Sequence, residues 1–139
     1  MHKVIKIFAV LAFLVAEVSA FAQQQPLTPE EQEQKMYEMI DNQIEDYTNT
    51  LDLESDQVFF VDSILTHNYF AMSAEIKALS MRKVTIPEAY QEVQDKWEEA
   101  TYQAFHDILT AEQWEKYLKT GGLKGKKARD KRALKRNNP

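Results

Sequence analysis

Apolar residues recur at three- and four-residue spacing along most of the chain, which is typical of amphipathic helices. A first helix begins near Leu27, and a second follows a junction at Leu53 and ends near Ser80. Pro87 suits the first turn of a third helix, and a short fourth helix follows Thr110. Glycine and proline seldom interrupt this pattern, whereas a β-sandwich needs a turn every ~8–12 residues. The pattern predicts an all-α fold, a small bundle or hairpin of about four helices with the second and third long.

The second predicted helix has an apolar surface that is wider than one face. Its main stripe extends from Val58 to Leu79. A helix this apolar either lies at the centre of a bundle or has a second interface, and burial is the commoner reason. The aromatic residues that widen the stripe include Phe59, Phe60, Tyr69 and Phe70.

The junction before the fourth helix has the sequence of a capping box. Thr110 suits the N-cap position, because its hydroxyl can accept the N–H of Gln113 while the Gln113 side chain accepts the N–H of Thr110. Leu109 before the cap and Trp114 at the fourth helical position are placed to pack as a hydrophobic staple. The motif Leu-Thr-x-x-Gln therefore starts a helix and sets the direction in which the chain enters it.

A second copy of this pattern precedes the first helix. Leu27 and Thr28 are followed at the same spacing by Glu31, whose carboxylate can complete a capping box. Pro29 suits the first helical position, since the N–H that it lacks would have no partner there. We therefore expect Thr28 to cap the first helix.

A third copy, without the threonine, lies between the first and second helices. Leu53 and Gln57 have the leucine-to-glutamine spacing of the junction before the fourth helix, but Glu54 stands in the threonine position. Because the hydroxyl is missing, Asp52 or Ser55 is the expected cap.

The N-terminal segment has the features of a secretory signal peptide. Two lysines precede the apolar run Ile7–Val15, and Ala20-Phe21-Ala22 offers the small-x-small pattern of a cleavage site. The apolar run is too short to span a bilayer comfortably. We expect residues 1–22 to be removed after Ala22, and the bacterial style of the signal indicates a periplasmic protein.

Charge is divided unevenly along the rest of the chain. Residues 23–115 hold 20 acidic and five basic side chains, a net charge of −15, whereas residues 116–139 hold ten basic and one acidic. Such segregation produces opposed electrostatic fields. We expect a helical domain over 23–120 and a basic tail over 121–139 that is disordered or only partly helical, because it is poor in apolar residues. The tail should dock on the acidic body at low salt, or else stay free and weakly contact an anionic membrane.

Residues that could act in catalysis or bind a metal form no recognisable motif. The chain has no cysteine, and therefore no disulfide and no thiolate metal site. His67 and His106 lie near carboxylates, without the several converging ligands that a metal needs. The acidic residues recur at positions expected on helix surfaces, so no catalytic pair of carboxylates stands out. The sequence also lacks the sharp turn that presents a catalytic nucleophile. We therefore expect neither an enzyme nor a cofactor, and export argues against a nucleic-acid partner for the basic tail.

The junction motif and the signal peptide resemble the Spy/CpxP family of periplasmic stress proteins, whose signature is a repeated LTxxQ. Residues 109–113 match it fully, residues 27–31 match except in the last position, and residues 53–57 match without the threonine. The likeness covers about residues 27 to 118. It implies long bent helices, a dimeric cradle that is basic and apolar, and ATP-independent binding of unfolded proteins or control of an envelope stress sensor.

The resemblance leads to a prediction of function. We expect an exported binding protein that holds unfolded or misfolded envelope proteins without ATP, and a homodimer is implied by the family cradle. Phe59, Phe60, Tyr69 and Phe70 exceed what one core stripe needs, and they are the expected contacts with a client protein. The alternative is a regulatory or structural module that binds one envelope partner, and a third candidate is a metal sensor.

Overall fold

The structure is a computed structural model and describes residues 25–138. These residues form five α-helices and no strand, so the all-α prediction is confirmed. The helices are α1 (Pro29–Leu51), α2 (Ser55–Met81), α3 (Pro87–Ile108), α4 (Ala111–Tyr117) and α5 (Leu123–Asn137), and the segment Leu118–Gly122 forms a kink at Gly121 between α4 and α5. Helix α1 is long as well, and α3 begins at the expected proline. The predicted signal peptide and its cleavage site lie outside the described residues.

No helix in residues 25–138 combines the length and the apolar character that a membrane crossing requires.

The chain divides into two compact units, one ending at Glu33 and the other beginning at Gln34. In the first unit, the Gln32 N–H donates to the Thr28 carbonyl at 2.9 Å, and its side-chain Nε2 donates to the Leu27 carbonyl at 3.0 Å. The first turn of α1 is therefore closed by local hydrogen bonds.

Helices α2 and α3 pack side by side in opposite directions. Asn68 Nδ2 on α2 donates to Thr101 Oγ1 on α3 at 2.9 Å, and Lys96 Nζ on α3 lies 2.6 Å from Glu75 Oε1 on α2. Residue numbers therefore increase along α2 in the direction in which they decrease along α3, so the two helices are antiparallel. The connection between them, residues 82–86, is short, as is usual between antiparallel neighbours.

The core of the second unit is a small apolar cluster in which aromatic rings meet edge to face. Phe105 of α3 is fully buried, and its ring centroid lies 5.2 Å from that of Tyr47 on α1 and 5.3 Å from that of Tyr117 on α4. Edge-to-face contact is a favourable arrangement for such rings. Aliphatic side chains complete the cluster: Ile40, Leu51, Val61, Leu65 and Leu109. Helices α1 to α4 therefore share one core.

The prediction that residues 121–139 form a tail that is disordered or only partly helical is wrong for the part that the structure describes. Most of this segment is helix α5, on which Arg129 is only 7% exposed. Arg132 Nη2 lies 2.6 Å from Asp95 Oδ1, and Arg129 Nε lies 3.1 Å from Glu99 Oε2, with both carboxylates on α3. Ion pairs with α3 therefore hold α5 in place although it has few apolar residues. The prediction missed these ion pairs because it was based on the apolar content of the segment. These contacts pair basic residues of the C-terminal segment with acidic residues of α3, and the expected dependence of this docking on salt stays a prediction.

Candidate functional site

The capping box predicted before α4 is present. Thr110 Oγ1 accepts the Gln113 N–H at 3.3 Å, and Gln113 Oε1 accepts the Thr110 N–H at 3.0 Å. The Gln113 side chain is drawn inward, since the residue is only 9% exposed. The Leu-Thr-x-x-Gln motif therefore starts α4 as expected.

The junction before α2 has a different cap from the expected one. Glu54 is the N-cap residue, and its backbone N–H donates to Gln57 Oε1 at 3.0 Å. Ser55 is already the first helical residue, and Asp52 lies two residues before the cap with a φ of 53°. The expectation of a cap from Asp52 or Ser55 is therefore wrong. The glutamine keeps its part of the capping box although the threonine is missing.

Gln57 and Gln113, which belong to two copies of the motif, meet side chain to side chain. Gln57 Nε2 donates to Gln113 Oε1 at 2.6 Å, and Gln113 Nε2 donates to Gln57 Oε1 at 2.9 Å. Each amide also donates to a backbone carbonyl of the opposite junction, Gln57 to Ile108 at 3.2 Å and Gln113 to Asp52 at 3.3 Å. We call Gln57 and Gln113 the glutamine clasp.

The clasp uses the whole hydrogen-bonding capacity of both amides. A primary amide has two N–H donors and an oxygen with two lone pairs. Each Oε1 accepts one N–H from its own N-cap residue and one from the opposite glutamine. Ile108 and Asp52 each lie five residues before the glutamine of their own junction, so the two halves repeat each other. A network in which every hydrogen-bond donor and acceptor has a partner favours a single geometry. This network holds the start of α4 next to the start of α2.

An ion pair reinforces the same junction from outside. Lys116 Nζ lies 3.0 Å from Asp52 Oδ2. The hydrogen bond from this ammonium to the Asp52 carboxylate raises the pKa of Lys116. Both side chains are well exposed, so solvent and salt screen the pair and it adds little to the clasp.

The copy of the motif at Leu27 caps α1 locally. Glu31 Oε2 accepts the Thr28 N–H at 2.8 Å, and Thr28 Oγ1 accepts the Glu31 N–H at 3.2 Å. The prediction that Thr28 caps the first helix is confirmed. A carboxylate suffices in the final position, because this capping box needs an acceptor there and no donor.

Trp114 takes part in an aromatic cluster at the surface of the core. Its ring centroid lies 4.9 Å from that of Tyr102, 4.8 Å from that of His106 and 5.3 Å from that of Tyr117. Leu109 is buried in the core cluster, against which Trp114 also packs. A direct hydrophobic staple between Leu109 and Trp114 stays a prediction.

Two of the four expected client contacts are exposed. Phe59 is 67% exposed and Phe60 is 49% exposed. Their rings meet edge to face with centroids 5.9 Å apart. They lie two and three residues after Gln57 in the early turns of α2, and Phe60 borders a groove that both residues of the clasp also line.

Tyr69 and Phe70 do not join the exposed pair. They lie about 15 Å further along α2 from Phe59 and Phe60, at 1.5 Å per residue. The Tyr69 hydroxyl accepts from Gln43 Nε2 at 2.9 Å, and the Phe70 ring lies 5.0 Å from the ring of Tyr37. Both residues are partly buried against the core. Their contacts are with side chains of α1, so the structure separates the four residues into two groups.

Phe60 also forms one wall of a groove with a volume of about 390 Å³, which we call the acidic groove. Carboxylates of Glu54, Asp56 and Asp107 line it, and its described lining includes no basic residue. The remaining lining residues are Gln57, Ile108, Thr110 and Gln113. An aromatic ring, three carboxylates and the glutamine clasp therefore meet at one place on the surface.

The described histidines do not converge on a metal site. The His67 ring lies 5.9 Å from the ring of Trp97, and His106 Nδ1 lies 3.8 Å from Asp107 Oδ1. Within residues 25–138, no group of three or more histidine, cysteine, aspartate or glutamate side chains is placed to hold a metal ion. The metal-sensor alternative therefore gains no support from these residues.

No protein-family model, no curated protein and no solved structure matches this chain.

Proposed function

We propose that this protein is an exported helical binding protein, similar to the Spy/CpxP family, that holds unfolded or misfolded envelope proteins without ATP. The observation that carries the proposal is the exposed pair Phe59 and Phe60, of which Phe60 lines the acidic groove. Exposed apolar rings attract apolar segments of an unfolded chain without directional contacts. A surface of this kind can hold many sequences weakly.

The carboxylates that share the acidic groove with Phe60 define which segments bind best. Glu54, Asp56 and Asp107 line this groove, and residues 23–115 carry a net charge of −15. Complementary charge steers association and favours one class of partner. We therefore expect clients whose apolar segments are flanked by lysine or arginine, a preference opposite to that of the basic family cradle. Exposed ion pairs are weak and screened by salt, so capture should remain reversible.

The glutamine clasp supplies a fixed base for the exposed rings. Gln57 is bonded to the start of α4, and Phe59 and Phe60 follow it within the next turn of α2. The rings therefore project from a helix start whose position is held by four hydrogen bonds across the two junctions. On this proposal the motif glutamines position the surface, and the neighbouring phenylalanines contact the client.

Suppression of aggregation tests the proposal. The purified protein, without ATP, should reduce the aggregation of several unrelated unfolding proteins, basic ones most strongly. The double variant Phe59→Ala/Phe60→Ala should lose most of this effect while keeping its helical circular dichroism. Leu134→Ala is the matched control, since Leu134 is 64% exposed but lies on α5 and outside the acidic groove.

The outcomes separate the candidate functions. Full suppression by the double variant would exclude Phe59 and Phe60 as the client contacts. Suppression or binding confined to a single envelope protein would instead support the alternative, a regulatory or structural module with one partner. Homodimer formation and contact of the basic helix α5 with anionic membranes stay predictions, which sedimentation and vesicle binding can check.

A further inference from the structure

Residues 77–87, which we call the hairpin tip, join α2 to α3 and differ in charge from the chain around them. They hold three of the five basic side chains of residues 23–115, Lys77, Arg82 and Lys83, and none of the 20 acidic ones. All three cations are exposed, and none of them belongs to an ion pair within residues 25–138. The hairpin tip is therefore a positive end on an acidic pair of helices.

Two large apolar side chains of the hairpin tip are also exposed. Met81, at 74%, is the most exposed of the large apolar residues that the structure describes, and Ile86 is 61% exposed. The end of a helical hairpin is convex, so a protein partner needs a matching hollow to cover these side chains. A lipid surface needs no such hollow, because apolar side chains enter the boundary between its headgroups and acyl chains.

Hydrogen bonds fix the backbone of the hairpin tip. The Lys83 N–H donates to the Ser80 carbonyl at 2.9 Å. The Val84 N–H donates to the Leu79 carbonyl at 3.1 Å, which completes the pattern of a Schellman motif at the end of α2. The Tyr90 hydroxyl on α3 donates to the Val84 carbonyl at 2.7 Å and ties the turn to the next helix. The exposed apolar side chains therefore belong to an ordered turn.

Lys83 stands in the position of this motif that glycine usually occupies. It follows the C-cap residue Arg82 and has a φ of 58°, a left-handed conformation that glycine and asparagine adopt more easily. Formation of the turn therefore does not explain a lysine here. A cation near a helix C-terminus favours the helix dipole, but this effect gives no reason for two exposed apolar side chains beside the cation. Cations and apolar side chains together suit a surface that is negative outside and apolar beneath.

We propose that the hairpin tip docks end-on on an anionic lipid surface. Met81 and Ile86 enter the boundary between headgroups and acyl chains, and the three cations of the tip contact the lipid phosphates. Charge complementarity selects this partner and sets the orientation. The carboxylates of the acidic groove lie near the start of α2, about 38 Å from Met81 at 1.5 Å per residue, and an anionic surface repels them.

This function goes beyond client binding and does not depend on it. Phe59 and Phe60 lie at least 21 residues before Met81 on the same helix, so the expected client contacts are far from the hairpin tip. The contact also differs from the expected contact of α5 with membranes, since it uses residues between α2 and α3. End-on docking leaves the acidic groove directed away from the lipid.

Vesicle flotation tests the charge requirement. The purified protein should float with vesicles made of equal parts of phosphatidylglycerol and phosphatidylcholine, and far less with phosphatidylcholine alone. Lys83→Gly should weaken this binding about fivefold, as expected for one cation at an anionic surface. Its melting temperature should not fall, because glycine suits the φ of this residue. Lys119→Ala is the matched control, since it removes an equal charge from an exposed residue outside the tip and should have a smaller effect.

A second pair of variants tests the apolar contact. Met81→Ala/Ile86→Ala should weaken binding to the anionic vesicles by about tenfold or more, because less apolar surface is buried. Phe59→Ala/Phe60→Ala also removes two exposed apolar side chains and should bind the vesicles as the unaltered chain does. The phenylalanine variant is expected to lose client capture, so the two functions fail or hold separately.

A dye attached at one residue locates the contact. Because the chain has no cysteine, a single introduced cysteine is the sole site of labelling. An environment-sensitive dye on Ile86→Cys should shift to shorter wavelength when anionic vesicles are added, whereas the same dye on Phe59→Cys should not. A shift on Leu134→Cys without one on Ile86→Cys would assign the contact to α5 and overturn the proposal.

Four further results would also overturn it. They are the absence of binding to anionic vesicles, equal binding to neutral ones, unchanged binding in a folded Met81→Ala/Ile86→Ala variant, and a dye shift on Ile86→Cys that grows with protein concentration and needs no vesicles. The last result would identify a second copy of the chain as the partner, since its acidic groove also offers carboxylates to a basic tip.

Discussion

The side-chain amides of Gln57 and Gln113 donate to each other at 2.6 and 2.9 Å, and each also donates to a backbone carbonyl of the other's junction. A glutamate can complete a capping box, as Glu31 does at the start of α1, but it has no N–H to donate. Helix capping alone therefore does not explain glutamine at these two positions. The contact between two copies of the motif does.

Replacing a clasp glutamine by glutamate should be destabilising. Gln113→Glu keeps the acceptor for the Thr110 N–H but removes both donors and brings a carboxylate to Oε1 of Gln57. We expect a loss of about 2–3 kcal/mol in the free energy of unfolding, measured by urea denaturation. Gln94→Glu, an exposed position on α3, is the control and should change stability by less than about 0.5 kcal/mol.

A double-mutant cycle tests whether the two amides act together. Gln57→Ala and Gln113→Ala each leave the opposite amide without partners, so the double variant should lose less stability than the sum of the single variants. The difference should be about 1 kcal/mol or more, as found for groups in one hydrogen-bond network. Strictly additive losses would mean that the clasp contributes no coupling.

The two threonine caps should differ in their effect on stability. Thr110→Ala should cost about 1 kcal/mol, the usual loss for an N-cap hydroxyl, because α4 is part of the shared core. Thr28→Ala should lower the free energy of unfolding by less, because the N-terminal end of α1 is exposed and such ends open locally at low free energy. Urea denaturation of both variants provides the comparison. An unchanged midpoint for Thr110→Ala would contradict a structural role of this cap.

Asp95 should make the attachment of α5 sensitive to acid. Burial alone raises its pKa, but hydrogen bonds from Arg132, Arg136 and Gln91 outweigh it and hold the pKa below the ordinary value of 3.8. Because the folded pKa is the lower one, the contact contributes stability that is present above about pH 4 and is lost as the pH falls through the folded pKa. Thermal melting of the unaltered chain should therefore show a loss of stability below about pH 4.

Asp95→Asn tests the source of this acid sensitivity. The variant should be less stable than the unaltered chain at neutral pH and should lose less of its stability on acidification. Asp107→Asn is the matched control, because the side chain of Asp107 is 80% exposed. The assignment to Asp95 would be incorrect if both variants kept the acid dependence of the unaltered chain.

Deletion of residues 121–139 should alter client preference. The deletion uncovers Asp95 and Glu99, which arginines of α5 now cover. Capture of basic clients should become stronger at low salt, with little change for acidic clients, and high salt should remove the difference. Aggregation assays at two salt concentrations measure this, with circular dichroism to confirm that the shortened chain folds. Equal behaviour towards basic clients at low salt would mean that α5 does not compete with them.

Export should be visible in the mass of the mature protein. The pattern of residues 1–22 predicts cleavage after Ala22. The intact mass of the protein from a periplasmic fraction should therefore correspond to a chain that begins at Gln23. A mass that retains Met1 to Ala22 would contradict the signal-peptide prediction.

The sequence by itself determined the features that depend on near neighbours. The starts of α1, α3 and α4 followed from Thr28, Pro87 and Thr110, because a cap or a proline acts within four residues of its own position. The all-α class followed from apolar spacing and from the scarcity of turn residues. These signals need no knowledge of where distant parts of the chain lie.

Contacts between distant residues were decided by the tertiary structure alone. Equal spacing within two junctions indicated a repeat, but only packing brings Gln57 to Gln113 and exposes Phe59 while Tyr69 packs against the core. The helix at the C-terminal end depends on carboxylates about 30 to 40 residues earlier, such as Asp95, so its own composition predicted disorder. Helical propensity and capping act locally, whereas burial and ion pairing depend on which helices become neighbours.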